Sequence, residues 1–224
     1  MKLVFLGDSI TNHEHGNDWA REVADLVDAD YENFAVSAGN NLIQCVHLEQ
    51  YLLGTDHSPD DVFVWILSNM ERFNTLVPPA KSILAYDGAR TTSSVLHTVA
   101  TDFGDRLFLR CHPEADHIRK HYDPLGLQSD EALVQQRVLA LIKLVSRTNP
   151  FLVALGWENT LNPNHREQFL RHLAATDAVF VREPVLEWCV HNGKEIADDG
   201  IHPTRDSNLA WAEENLLPLL KDIR

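Results

Sequence analysis

The chain opens on a short apolar run rich in strand formers, Lys2 to Leu6 (KLVFL), that stops abruptly at Gly7-Asp8-Ser9. From about Asp18 to Val27 the apolar positions recur at helical spacing and predict an amphipathic helix. Tyr31 to Val36 reads as a second strand, ended by Ser37-Ala38-Gly39-Asn40-Asn41. Helical spacing returns from Leu42 to Leu53, with Ile43, Val46 and Tyr51 among its apolar positions. Asp61 to Leu67 (DVFVWIL) is a continuous apolar run, as expected of a strand covered on both faces. Arg106 to Leu109 is a candidate short strand. Ser129-Asp130-Glu131 marks the start of the strongest helix, which runs to about Ser146. Its apolar face is predicted to carry Leu133, Val134, Val138, Leu141, Ile142 and Val145. Pro150 to Leu155 and Ala178 to Val181 read as the last strands, and Leu209 to Leu220 as a closing helix.

Strands that alternate with helices predict an α/β protein with a mostly parallel sheet covered on both sides. Sheets of this kind place ligands at the carboxyl ends of their strands. Ser9, Gly39 and Asn69 each fall just after a predicted strand, so the site is expected among them. No repeat or Gly/Ser linker divides residues 1–224, which read as one domain. The least regular stretch, about 76–122, holds Pro78-Pro79, a Thr/Ser cluster and several histidines. It fits an insertion or lid and equally fits ordinary surface structure.

Composition narrows the setting. The 224 residues are 44% hydrophobic and 23% charged, the balance of a soluble globular domain large enough to bury a substantial core. No apolar run approaches the roughly 20 residues of a membrane span. The apolar start breaks after five residues, without the small-residue cleavage site of a signal peptide, and is read as a buried strand. A net charge of −14 repels phosphate backbones, which argues against a nucleic-acid partner. The three cysteines (Cys45, Cys111, Cys189) are odd in number and widely spaced, which points to a reducing, cytoplasmic setting rather than a disulfide framework. Nothing in the sequence sets the oligomeric state.

Candidate chemistry sits at the two ends of the chain. Ser9 follows a strand on a sharp turn that would expose its hydroxyl, with a helix start expected to supply backbone N–H groups. A turn or N-cap serine fits the same pattern. Far away, Asp198-Asp199-Gly200-Ile201-His202-Pro203-Thr204 places Asp199 and His202 at i, i+3, so the carboxylate can reach back to one imidazole nitrogen. The other nitrogen is then available to a serine, which is the logic of a catalytic triad. Asp198 is the neighbouring alternative to Asp199.

Together these ends resemble the SGNH/GDSL hydrolases, which join an N-terminal GDS serine to a C-terminal DxxH pair. The match reads GDSIT at 7–11 and DGIH at 199–202. The resemblance implies a flavodoxin-like three-layer α/β/α fold and a serine hydrolase that cleaves carboxylic esters through an acyl-enzyme. Ser9 would be the nucleophile, His202 the base and Asp199 its orienting carboxylate, with no metal or organic cofactor. It implies a small-molecule or glycan ester substrate, such as an O-acetylated sugar. An acyltransferase on the same site and a catalytically weak glycan- or protein-binding module are the rival readings. The family glycine whose N–H helps bind the oxyanion is matched by Gly39. The family's GxND element is not matched: the sequence has Ser68-Asn69-Met70-Glu71-Arg72-Phe73-Asn74. Asn69 and Arg72 are therefore the candidates for the third oxyanion donor, with Asn74 more distant.

Other constellations carry less. His117 and His121 are spaced i, i+4 beside Cys111, His112, Glu114 and Asp116, but a zinc site would need further ligands and no metal is expected. His13-Glu14-His15 is expected at the cleft mouth or exposed. Trp65 and Trp211 are expected in the core, and Trp157 is the one tryptophan considered for a substrate pocket.

Overall fold

The computed structural model describes residues 1–11, 18–35, 41–54, 57–68, 75–76, 95–96, 99–103, 106–110, 127–161, 163–198 and 202–223. Five strands form one sheet: β1 (Lys2–Leu6), β2 (Asp30–Asn33), β3 (Val62–Leu67), β4 (Phe151–Leu155) and β5 (Val179–Phe180). Every pairing is parallel, in the spatial order β2-β1-β3-β4-β5. That is the flavodoxin-like order, with the switch in winding direction between β1 and β3.

The helices among the described residues are α1 (Trp19–Leu26), α2 (Asn41–Leu53), α3 (Leu127–Val145), α4 (Pro163–Leu173), α5 (Val185–His191), α6 (Arg205–Asn215) and α7 (Leu217–Asp222). They cover the two faces because strand side chains alternate. Leu3, Phe5, Val62, Val64, Ile66, Leu152 and Ala154 pack against α1, α5, α6 and α7 through Trp19, Trp188, Trp211 and Leu220. Val4, Leu6, Phe63, Trp65, Phe151 and Val153 meet α2, α3 and α4 through Leu48, Val138, Ile142 and Phe169. The result is three layers, α/β/α. Trp65 and Trp211 are fully buried. Among the described residues no helix is long and apolar enough to cross a membrane.

Several sequence expectations are corrected. The closing helix is two helices that meet at Leu216, because Pro218 cannot donate an N–H and its ring crowds the carbonyl four residues earlier. Strand β2 ends at Asn33 rather than Val36, although the Phe34 N–H still donates to the Phe5 carbonyl. Leu133 is exposed (63%): it stands about 100° around α3 from Val134, outside the buried stripe. Among the described side chains of α2 the buried apolar positions are Cys45, Leu48 and Tyr51, while Val46 is half-buried; the side chain of Ile43 lies outside them. Helices α4 and α5 went unpredicted, α4 because its polar sequence PNHREQFLRHL buries only a narrow stripe. Between β3 and α3 two short antiparallel pairs are described, Thr75–Leu76 with Val95–Leu96 and Val99–Phe103 with Arg106–Arg110. The second pair includes the expected strand at Arg106 to Leu109. The rest of the stretch expected as an insertion or lid, about 76–122, lies outside the described residues.

One buried group makes the fold sensitive to pH. His47 on α2 packs beside Phe34, with its Nδ1 3.0 Å from the Phe34 carbonyl oxygen. Burial pushes its pKa below the ordinary 6.5, only partly opposed by that hydrogen bond. Below pH 6.5 the unfolded chain therefore takes up a proton that the folded chain resists. Stability should fall as the pH drops through that value, whereas above it the ring is neutral in both states. Thermal melts from about pH 7.5 to about pH 5.5 are expected to show a smaller fall in midpoint for His47→Gln than for the wild type. Equal falls would mean that His47 does not supply the effect.

Candidate active site

The turn after β1 is built by its own side chains and by two neighbours. The Thr11 N–H donates to the Asp8 carbonyl at 3.0 Å, closing residues 8–11 into a turn. The buried Asp8 carboxylate accepts the Ile10 N–H at 3.1 Å, an Asx-type bond. The turn's outward carbonyls are then taken by side chains: Trp19 Nε1 donates to Ile10 O at 2.7 Å and Asn33 Nδ2 to Thr11 O at 2.8 Å. Ser9 is thus left half-buried at the carboxyl end of the strand beside the switch point. Residues 8–11 form the turn and the next described helix, α1, begins at Trp19; residues 12–17, where a helix start behind Ser9 would fall, lie outside the described residues.

His202 arrives from the other end of the chain on a small hairpin. Ile196 and Pro203 form an antiparallel bridge, the Ala197 N–H donates to His202 O at 2.8 Å, and the Thr204 N–H donates to Glu195 O at 3.2 Å. Thr204 then caps α6. This helix packs against α1, which carries the hairpin back from the far edge of the sheet to the end of β1.

The two ends meet. Ser9 Oγ lies 2.7 Å from His202 Nε2, across 193 positions of sequence. With the ring neutral and its proton on Nδ1, Nε2 accepts the serine proton. Burial pushes the Cys45 thiol up to about 12 and the Cys189 thiol up to about 11, so both stay protonated at neutral pH.

A further clamp, not foreseen from the sequence, joins α2 to β3. The buried Asn41 donates through Nδ2 to Ser68 O at 2.6 Å and accepts the Ser68 N–H on Oδ1 at 3.1 Å. Asn33 and Asn41 carry no sequence signal beyond their place near strand ends, where side chains often replace missing ladder bonds.

Of the residues expected at the site, Ser9 and His202 are brought together. Gly39, Asn69, Arg72, Asn74 and Asp199 lie outside the described residues, as do His13, Glu14, His15 and the Cys111–His121 cluster. Asp198 is exposed. Trp157 is 4% exposed and packed in the core on the α1 side, with its backbone N–H on Thr160 Oγ1. Among the described residues no group of three or more His, Cys, Asp or Glu is placed to hold a metal ion.

No family model matches the sequence, and no curated protein matches it either. Solved structures do match. A member of the lipolytic G-D-S-L family from Veillonella parvula superposes with a TM-score of 0.54 at 12% identity, covering 96% of this chain and 97% of its own. The chain has the fold of the SGNH/GDSL hydrolases. Within that fold, a psychrotrophic esterase, EstA, from Pseudoalteromonas sp., in a structure inhibited by monoethylphosphonate, gives 0.54 at 11% identity over 98% of both chains. An acetyl xylan esterase from the rumen bacterium Butyrivibrio proteoclasticus gives 0.50 at 13% identity, covering 99% of this chain and 63% of that one.

In this SGNH fold the glycine before the turn that carries Ser9 has a steric reason. A Cβ on Gly7 would stand 2.5 Å from Thr11 Oγ1, 2.9 Å from Thr11 Cβ and 3.1 Å from the Ile66 carbonyl oxygen. Thr11 is fully buried and cannot swing away. Gly7→Ala is therefore expected to cost about 1–3 kcal/mol and to displace the turn that carries Ser9. Denaturant unfolding checks the first effect and the rate of serine labelling the second; an unchanged midpoint and rate would show that the turn has slack.

Proposed function

We propose that this protein is a serine esterase that cleaves a carboxylic ester through an acyl-enzyme, with Ser9 as nucleophile and His202 as its base. The observation that carries the reading is the 2.7 Å contact between Ser9 Oγ and His202 Nε2. In the first step Ser9 Oγ bonds to the ester carbonyl carbon while its proton passes to Nε2. The tetrahedral intermediate collapses, the C–O bond to the alcohol breaks, and the leaving oxygen takes that proton. Water then repeats the sequence, giving the acid and restoring Ser9. Asp199 is assigned to hold the Nδ1 side of the ring, three residues before His202 in sequence.

The oxyanion is assigned to backbone N–H groups of Ser9 and Gly39, with Asn69 or Arg72 as third donor. The substrate class is a small ester, an O-acetylated carbohydrate among them. That choice is supported by the esterases that share the fold, one of which acts on acetyl xylan.

A fluorophosphonate probe tests the core of this reading, because only an activated serine attacks it. Labelling at Ser9, identified by mass spectrometry, is expected in the wild type and absent in Ser9→Ala. His202→Ala should slow it by orders of magnitude while the protein stays folded. Asp199→Asn should cost far more than Asp198→Asn, since Asp198 is exposed. A dead Asp198→Asn beside an active Asp199→Asn would exchange the two roles. A wild type that resists the probe while well folded would remove the esterase reading.

The third donor has its own test. Either Asn69→Ala or Arg72→Ala, but not both equally, is expected to lower turnover of a simple acetyl ester by about a hundred-fold, the scale of one lost donor. If neither changes turnover, backbone groups alone hold the oxyanion.

A further inference from the structure

The hairpin that presents His202 is held from below by a chain of hydroxyl groups. Ser207, on the first turn of α6 and 3% exposed, donates from Oγ to the Glu195 carbonyl at 2.7 Å. That uses its single proton, so at the 2.9 Å contact between Thr204 Oγ1 and Ser207 Oγ the threonine must be the donor. Thr204 Oγ1 in turn accepts the Ser207 backbone N–H at 3.4 Å. Two further bonds fix the base of the hairpin: Asn208 Nδ2 to the Pro203 carbonyl at 3.3 Å, and Cys189 Sγ to the Ser207 carbonyl at 3.5 Å.

The direction of this network matters. Glu195 is on the incoming arm of the hairpin and Thr204 on the outgoing arm, and His202 is bonded across to Ala197 just beyond them. Apart from the Thr204 N–H, Ser207 is the described donor to Glu195 O, and it reaches it at the shorter distance. Without that hydroxyl Glu195 O keeps only its longer bond from the Thr204 N–H, the bond from Ala197 to His202 O remains, and the Thr204 hydroxyl loses its acceptor. The base of the arm is then held more loosely, and because Ala197 is bonded to His202, a shift of the arm carries His202 with it.

We propose that Ser207 is a positioning residue for His202, setting through Glu195 the distance from Nε2 to Ser9. The inference rests on the reading of His202 as base, but it can be tested apart from it. Displacing a reacting group by about 1 Å can cost about a hundred-fold in rate, and a loosened arm that still samples the bonded position should cost about ten-fold.

The experiment compares wild type, Ser9→Ala, Ser207→Ala and Ser207→Cys by two readouts. The first is the nitrogen NMR shift of His202 Nε2, for which Ser9→Ala defines the value without the serine bond. In Ser207→Ala this resonance should move most of the way to the Ser9→Ala value. The rate of fluorophosphonate labelling at saturating probe should fall about ten-fold, with the half-saturating concentration unchanged. Ser207→Cys, nearly isosteric but a weaker and longer donor, should fall between on both readouts, and it decides the matter should Ser207→Ala not fold. A role confined to stability would lower the melting midpoint and leave the His202 resonance at its wild-type position, which overturns the proposal. A wild type that is never labelled overturns the esterase reading instead, and the resonance still decides the role of Ser207.

Discussion

A parallel sheet buried on both faces sends the carboxyl ends of all its strands to one edge, and the site here depends on that constraint. Each crossover must return the chain through a helix on one face or the other. Because β1 is flanked by β2 on one side and β3 on the other, the windings diverge at its end and leave a crevice. Ser9 stands at that crevice. His202 has no strand of its own there. It follows β5 at the far edge and is carried back across the sheet by α5, the hairpin at 195–204 and the packing of α6 against α1. The 2.7 Å contact is therefore a property of the whole three-layer arrangement rather than of either loop.

Where the ladder stops, side chains take over its hydrogen bonds. The carbonyls of Ile10 and Thr11 have no strand partner and are met by Trp19 and Asn33. Ser68, one residue past β3, is met on both its N–H and its carbonyl by the Asn41 amide, which mimics a backbone unit. Glu195 O is met by Ser207. Buried backbone groups left unpaired would each cost about 1–3 kcal/mol, so these loops are held in defined positions although they belong to no regular element. A rigid scaffold with side-chain clamps at its rim holds Ser9 and His202 at hydrogen-bond distance.

The clamps also separate two jobs that a sequence motif runs together. Gly7 is required by space, since any Cβ there meets Thr11. Asp8 is required by the turn, as the acceptor for the Ile10 N–H. Within this triplet Gly7 and Asp8 shape the turn, and Ser9 is the residue whose side chain meets His202.

The sequence by itself determined the strands and the helices with strong apolar periodicity. Val62–Leu67 and Phe151–Leu155 are apolar throughout because both faces of those strands are covered, and α3 shows its stripe at Val134, Val138, Leu141 and Val145. It also pointed to Ser9 and His202, because each stands in a short motif, GDS and DxxH, that is read without the rest of the chain. Polar α4 and short α5 were not legible, since their burial comes from narrow contacts rather than from a broad apolar face. Nor was the break at Leu216 read, although Pro218 was visible: a proline marks a stop only once the register of the helix is known. The pairing of Ser9 with His202, the double bond of Asn41 to Ser68 and the hold of Ser207 on Glu195 were decided by tertiary structure alone. Each joins groups by direction and distance across the fold, and neither quantity is written in the spacing of residues along a chain.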